Sequence, residues 1–293
     1  MPAGSTIAVM KHHKVRLAIA LLAAVLTVSS CGALQPPSAT GPRGNQSLYP
    51  VLLTEDGRRR EAIAVALNRL AQVSGNSSNA AAELQPVTAT ILSLPPGASS
   101  SLYLPKVGAT TVMNEEETRE SLRRFIREWQ ELIGSDPAKL SLVDRVDQPD
   151  GSKLATYEQR AFRYPLRGNY GKLQIHFATD RRILSFTSSC IPDAERIQTL
   201  LPGFSSVRLR SKEAAQTLRD KGLVYTDSKG NKVNSKLPAA SEINSHGLVI
   251  YVLPAKNPPE ALEFHLAWET ELSNAPVKIA YIDALSGEII AVE

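Results

Sequence analysis

The stretch NEEETRESLRRFIREWQELIGSD (Asn114–Asp136) is the clearest secondary-structure signal in the chain, and the fold class follows from it. Its apolar residues recur at intervals of three and four, which is the spacing of one helix face; they are Leu122, Phe125, Ile126, Trp129, Leu132 and Ile133. Asn114 stands at the N-cap, Glu117 at the reciprocal capping-box position, and Gly134 supplies the stop. The pattern predicts an amphipathic helix with one face toward a core.

Short extended runs separated by turn residues follow this helix: KLSLVDRV, YEQRAFRYPL, GKLQIHF and RILSFTSS. The same order then begins again with the short helix SKEAAQTLRDKGL (Ser211–Leu223). Three strand patterns close the chain: LVIYVLP, ALEFHLAWETEL and the hairpin in APVKIAYIDALSGEIIAVE. A helix followed by antiparallel strands is an α+β arrangement. The sequence therefore predicts an α+β fold of two consecutive helix-plus-antiparallel-sheet modules, at residues 114–205 and 206–293.

The strand ALEFHLAWETEL (Ala261–Leu272) alternates in side-chain character. One face carries Leu262, Phe264, Leu266, Trp268, Thr270 and Leu272, and the other carries Glu263, His265, Glu269 and Glu271. Such alternation predicts one buried and one solvated sheet face. We take the polar set as a candidate interaction face; a metal site built from its histidine and two glutamates is the weaker interpretation, because no loop supplies a further ligand.

The N-terminus combines a cationic segment, KHHKVR, with the apolar run LAIALLAAVLTV, which is too short to span a bilayer comfortably. The run ends in VSSCG, which resembles the lipobox of bacterial lipoproteins. The resemblance implies a signal peptide at residues 1–30, acylation of Cys31, and an extracytoplasmic, membrane-anchored protein. Gly32 after that cysteine favours the outer membrane in a host with two membranes. The alternative is an ordinary secretory signal whose cysteine is coincidental.

Residues 31–53 are rich in Pro, Gly and Ser and predict a flexible tether. Residues 54–113 predict a small helix-plus-strand unit, with Ile63, Leu67 and Leu70 on one side of the helix. The chain has 293 residues and a formal charge of +4, but three of its 33 basic residues lie in the acid-free N-terminal segment. The rest is nearly neutral, so no basic face indicates a nucleic-acid partner.

A search for reactive constellations finds none that the spacing supports. The mature chain has His176, His246 and His265, and no pair has the H-E-x-x-H spacing of a zinc peptidase. No G-x-S-x-G elbow is present either. Cys190 lies at the end of a strand pattern and is interpreted as a buried, inert thiol. We therefore expect no catalytic, cofactor or metal residues.

Two segments carry a family resemblance. LRRFIREWQELIGSDPAKLSLVDRVDQPDGSKLATYEQRAFRYPL with NYGKLQIHFATDRRILSF resembles the fungalysin/thermolysin propeptide domain. LEFHLAWETELSNAPVKIAYIDALSGEII is similar to the PepSY domain that follows it, with hallmark positions Trp268, Tyr281, Asp283, Ala284, Gly287 and Glu288. The resemblance implies two cystatin-like units. Two departures from the family pattern stand out, the turn FRYPLRGNYG and the polar insertion Val224–Gly247.

In that family the two domains assist the folding of a downstream peptidase and keep it inactive. No peptidase follows here, so the resemblance implies a non-catalytic, membrane-anchored inhibitor, chaperone or binding module for a secreted metallopeptidase or another envelope protein. Two alternatives stay open. In the first alternative, the chain is the pro-segment of a truncated metallopeptidase. In the second, it is a structural or ligand-binding envelope lipoprotein that reuses the fold.

Overall fold

The computed structural model describes residues 49–73, 82–94, 101–109, 113–226 and 229–293, which belong to one compact unit. The predicted signal peptide and Cys31 lie outside the described residues. The described helices are α1 (Gly57–Val73), α2 (Glu115–Glu128), α3 (Gln130–Ile133), α4 (Ala194–Leu200) and α5 (Ser211–Lys221). The described strands are β1 (Val51–Thr54), β2 (Glu83–Leu84), β3 (Ile91–Ser93), β4 (Leu140–Asp147), β5 (Lys153–Gln159), β6 (Leu166–Arg167), β7 (Lys172–Phe177), β8 (Ile183–Ser188), β9 (Leu223–Thr226), β10 (Lys232–Ser235), β11 (Glu242–Pro254), β12 (Ala261–Ser273), β13 (Ile279–Asp283) and β14 (Ile289–Val292). The predicted α+β class is confirmed.

The predicted helix is present with the predicted caps. The Asn114 side chain accepts a hydrogen bond from the Glu117 backbone N–H at 2.9 Å, and the Glu117 carboxylate accepts one from the Asn114 N–H at 2.9 Å. The helix breaks at Trp129, which divides it into α2 and α3, and it stops at Gly134 with φ +80°. The six apolar residues named above are at most 2% exposed, so the whole stripe is buried.

The first sheet has the antiparallel order β4-β5-β7-β8, and α2 and α3 cover one of its faces. Helix α1 and strand β3 contribute Ile63, Leu70 and Ile91 to the same core. Arg69 of α1 also lies 5.3 Å from the Trp129 ring centroid. The described parts of residues 54–113 therefore pack mainly into the core of the first sheet and do not surround a core of their own.

The second sheet has the order β14-β13-β12-β11-β6, and α5 packs on one face. Strand β11 pairs with one edge of β12 along almost all of β12. Strands β1 and β13 pair with two different parts of the other edge of β12. Strand β1 begins at Val51, inside the segment predicted to be tether, so that boundary is wrong. Four residues are too few to show a period, which is why the sequence did not reveal this strand.

The predicted strand YEQRAFRYPL is wrong beyond Gln159, where β5 ends. The chain leaves the first sheet there and crosses to the second sheet, where Leu166 and Arg167 form the short strand β6. This strand runs parallel to β11, and the Ile250 N–H donates to the Pro165 carbonyl at 2.9 Å. The polar insertion likewise contains strands: the β9–β10 hairpin and the first half of β11.

A shared core lies where the modules meet. It combines residues from β1, the α4 region, β11 and β12 with Val87; they are Val51, Leu53, Val87, Ile191, Ile197, Leu201, Ile250, Val252, Leu262 and Phe264. Phe162, Tyr164, Leu166 and Tyr170 of the crossing segment pack against it. The two modules are therefore joined by apolar packing as well as by the chain.

Gly168 permits the crossing, and its replacement is a test of the junction. Its φ is +87°, and a Cβ there would overlap the carbonyl oxygen of Val252. We expect Gly168→Ala to lower the free energy of unfolding by about 3 kcal/mol, because backbone strain and steric overlap add. The matched control is Gly230→Ala, where φ is +83° and no atom lies within 4 Å; it should cost only about 1 kcal/mol. Equal losses in urea unfolding would contradict the close approach.

Candidate functional site

The candidate interaction face lies on one side of β12, but it is not the solvated face that the alternation predicts. Only the Glu271 side chain is largely exposed, at 54%. The side chains of Glu263, His265 and Glu269 retain 21%, 13% and 16% exposure. The expectation is wrong for these three residues because neighbouring strands place polar and aromatic partners over them.

Three side chains from separate segments meet at His265. The Asp283 carboxylate oxygen Oδ2 lies 2.8 Å from His265 Nδ1 and accepts a hydrogen bond from the Tyr49 hydroxyl at 2.7 Å. His265 Nε2 lies 3.3 Å from the Glu263 carboxylate. The Tyr49 hydroxyl also accepts from the Leu266 N–H at 2.9 Å, in the gap between β1 and β13. This cluster therefore fastens the N-terminal end of the described chain to the second sheet.

The charges of this cluster stabilise each other. Burial opposes the charged form of His265, but hydrogen bonds to Asp283 and Glu263 outweigh it and raise the pKa of the imidazole. Burial opposes the charged form of Asp283 too, yet hydrogen bonds from His265, Tyr49 and two backbone N–H groups lower the pKa of its carboxyl. Those N–H groups belong to Ser286 and Leu285. Asp283 thus orders the closing turn, in which Gly287 takes φ +72°.

Glu269 is held by a guanidinium from the crossing segment. Arg167 Nε and Nη2 donate to the two Glu269 carboxylate oxygens at 2.9 and 3.0 Å. This bidentate bond raises the pKa of Arg167. Beside it the Tyr251 and Tyr281 rings pack with centroids 4.3 Å apart, and burial raises the pKa of both hydroxyls. The ion pair and the two rings cover the polar face of β12.

The remaining predicted residues are also paired. Glu271 lies 2.6 Å from His246 Nε2, and His176 Nε2 lies 2.6 Å from the Ser152 hydroxyl. Within residues 49–73, 82–94, 101–109, 113–226 and 229–293, no three His, Cys, Asp or Glu side chains are grouped to hold a metal ion. The Cys190 thiol is buried, which raises its pKa to about 11, as suits the predicted inert cysteine.

An open cleft of about 560 Å³ lies beside this face, between the end of the first sheet and the second sheet. The crossing segment forms most of its wall, with Tyr281 and Glu293 on the other side. Its aromatic lining residues are Phe162, Tyr164, Tyr170 and Tyr281, and its cationic ones are Arg160, Arg163, Arg167 and Lys172. Clefts of this size at the junction of two units are common ligand sites.

Two cations of the cleft are available to a ligand. Arg160 pairs with Glu158 at 2.9 Å, and Arg167 pairs with Glu269. Arg163 and Lys172 are exposed, and neither side chain has an ion-pair partner within the described part of the chain. Glu293 is the acidic lining residue on the opposite wall. The cleft therefore presents aromatic surface together with two unpaired positive charges.

Sequence reasoning did not assign this cleft. The sequence feature that could have indicated the cleft is the turn FRYPLRGNYG (Phe162–Gly171), whose extra residues depart from the family pattern. The ten residues of this turn make up more than half of the residues that line the cleft. A short segment without periodicity does not disclose which distant strand it meets, so its role emerges only from the fold.

None of the helices in the described ranges has the length and apolar character needed to cross a bilayer. The sequence matches no protein-family model and no curated protein. Among solved structures, the chain is similar to an uncharacterized protein from Eubacterium rectale, with 12% identity and a TM-score of 0.34. That match covers 82% of this chain and 84% of the other.

The His265 cluster predicts a pH dependence of stability. Because the folded-state pKa of His265 lies above its ordinary value of 6.5, protonation stabilises the fold fully below pH 6.5. This contribution is lost as pH rises through the raised folded-state pKa. We expect the His265→Gln substitution to lower the free energy of unfolding most at about pH 6. The loss should become smaller toward pH 9.

The measurement is urea unfolding at several pH values above 5, where the Asp283 carboxyl stays charged. The matched control is His246→Gln, because that ring is 58% exposed; it should change stability by less than about 0.5 kcal/mol at any pH. A loss in His265→Gln that grows with pH would contradict the arrangement of charges.

Proposed function

We propose that this chain is a non-catalytic, lipid-anchored extracytoplasmic protein that binds another protein through the cleft between its two modules. The observation that carries the proposal is the cleft itself, with the part-exposed rings of Phe162, Tyr164 and Tyr170 and the unpaired cations of Arg163 and Lys172. Aromatic and arginine side chains dominate the energetics of many protein interfaces. Unpaired cations favour a partner segment that carries acidic residues.

The chemistry of the surrounding face supports binding over catalysis. A general acid or base needs access to a substrate proton, whereas Asp283 is buried, the His265 side chain is mostly covered, and the two are bonded to each other. Glu269 is similarly held by both of its oxygens. These groups stabilise the sheet that forms one wall of the cleft.

The resemblance to the fungalysin/thermolysin propeptide and PepSY domains suggests the class of partner. We infer that the partner is a secreted metallopeptidase or another envelope protein that the chain inhibits or assists in folding. Such a partner would meet the cleft with an exposed acidic segment. The pro-segment of a longer peptidase and a structural envelope lipoprotein are the competing functions; the DNA downstream of the gene separates the first from our proposal, because it would encode an H-E-x-x-H domain.

Charge reversal in the cleft tests the binding site. The double variant Arg163→Glu, Lys172→Glu should weaken binding to, and inhibition of, a fungalysin/thermolysin-class peptidase by about tenfold, which corresponds to about 1.4 kcal/mol. Inhibition constants and isothermal titration calorimetry measure the change. The matched control is Arg208→Glu, Lys256→Glu, at two exposed positions outside the cleft lining. Equal weakening by both variants, or no binding of the wild-type protein to the peptidase, would refute the proposed site.

Replacing the lipidated cysteine tests the anchor separately. Cys31→Ser removes the thiol that acylation requires, so the protein should move from the membrane fraction to the soluble extracytoplasmic fraction. Cell fractionation followed by immunoblotting measures this distribution. Retention of Cys31→Ser in the membrane fraction would contradict lipid anchoring and leave the cleft proposal untouched.

A further inference from the structure

A second groove, separate from the cleft, lies between α2 and the edge of the first sheet. Its volume is about 390 Å³. The floor is apolar and comes from α2, the turn after α3, β4 and β5: Ile126, Pro137, Leu140, Leu142 and Tyr157. The two charged residues that line it are Arg119 and Arg123. These arginines stand one helical turn apart, so they form a row parallel to the groove.

One wall of this groove is a sheet edge without a partner. Strand β4 is the outermost strand of the first sheet, and no segment in the described ranges pairs with its outer edge. Strand edges present unpaired N–H and C=O groups, and proteins commonly protect them with charges or bulges. The charged residues of β4 all follow the irregularity at Val143, whereas Leu140–Leu142 carries no charge. The first half of the edge is therefore open at the groove.

The β4 bulge also places a third cation at the groove's end. Leu142 is opposite Tyr157 and Arg145 is opposite Ala155, so Leu142 and Arg145 face the same side of the sheet despite their odd spacing. The Arg145 side chain is 24% exposed and lies 3.9 Å from Glu115. Burial raises the pKa of Tyr157 to about 12, and the nearby charges of Arg119 and Arg145 oppose that rise, as expected of guanidinium groups close to the Tyr157 hydroxyl.

The arginines are bound only weakly within the chain. Arg119 bonds to Glu115 at 2.7 Å and Arg123 to Glu120 at 3.1 Å, and all four side chains are at least 35% exposed. Exposed pairs of this kind contribute little to stability and exchange readily. Glu120 also bonds to Arg124 at 2.8 Å, so Arg123 can turn to a ligand without leaving a carboxylate unpaired.

We propose that this groove docks an extended segment of a partner protein, whose inward side chains are apolar and acidic, as an added strand on β4. The apolar side chains cover the floor at Leu140 and Leu142. The acidic ones meet Arg119, Arg123 and Arg145, and the backbone pairs with the open half of the β4 edge. Strand addition of this kind takes its affinity from main-chain hydrogen bonds and its specificity from alternate side-chain pockets. The inference goes beyond the proposed function, because it concerns a different surface and does not require the cleft.

The test uses a synthetic ten-residue peptide with leucine and glutamate at alternate inward positions and serine or threonine between them. The wild-type protein should bind it, and a peptide with lysine in place of glutamate should bind at least tenfold more weakly. The variant Arg119→Glu, Arg123→Glu should raise the dissociation constant at least tenfold in calorimetry. Amide hydrogen exchange of Leu140–Leu142 should slow when the acidic peptide is bound.

The same helix supplies a matched control. Arg124→Glu, Arg127→Glu makes the same charge change at exposed positions that do not line the groove, and it should change the dissociation constant less than twofold. Arg119→Gln, Arg123→Gln, which removes the charges without reversing them, should weaken binding by a smaller factor. Unchanged melting temperatures establish that each variant is folded.

Three results with the peptide and the groove variants would overturn the proposal. They are equal weakening by the two charge-reversal pairs, absence of binding by the wild-type protein at millimolar peptide, and binding without slower exchange in β4. If analytical ultracentrifugation finds a wild-type dimer that Arg119→Glu, Arg123→Glu converts to monomer, the occupant is a second copy of this chain and the proposal is wrong. The cleft variant Arg163→Glu, Lys172→Glu should bind this peptide normally; failure of that variant alone would assign the peptide to the cleft.

Discussion

The parallel contact between β6 and β11 is the constraint on which the rest of the arrangement depends. It consists of only two residues, Leu166 and Arg167, yet it places the first module's crossing segment on the edge of the second sheet. Gly168 makes the contact possible, because any side chain there would overlap the Val252 carbonyl. Apolar packing around Phe264 and Ile250 then seals the junction.

The candidate site follows from this junction. Because β6 lies on the second sheet, Arg167 reaches Glu269 and converts a predicted wet face into a covered one. The same crossing brings Arg163 and Lys172 to one opening together with Tyr281. The covered face thus stabilises the fold, and the adjoining cleft presents the exposed charges of Arg163 and Lys172 beside part-exposed aromatic side chains of the crossing segment.

The sequence predicted the elements whose periodicity is long and whose caps are local. The α2–α3 helix, the closing hairpin and the buried side of β12 follow from local sequence patterns, because every contact needed to infer them is close in the chain. The partners of His265 and Glu269 were not predictable in this way. They come from Tyr49, Asp283 and Arg167, up to 217 residues distant from the strand they meet. Pairings across such distances depend on topology, which side-chain alternation does not encode.

We expect the two modules to unfold as one cooperative unit, because a shared apolar core joins them. The chain's two tryptophans report on the modules separately: Trp129 is buried in the first core and Trp268 packs in the second. Fluorescence of the single-tryptophan variants Trp129→Phe and Trp268→Phe can be followed in urea together with far-UV circular dichroism. For each variant we expect the fluorescence and dichroism transitions to coincide. Two separated transitions, with one module unfolding while the other stays folded, would contradict the account.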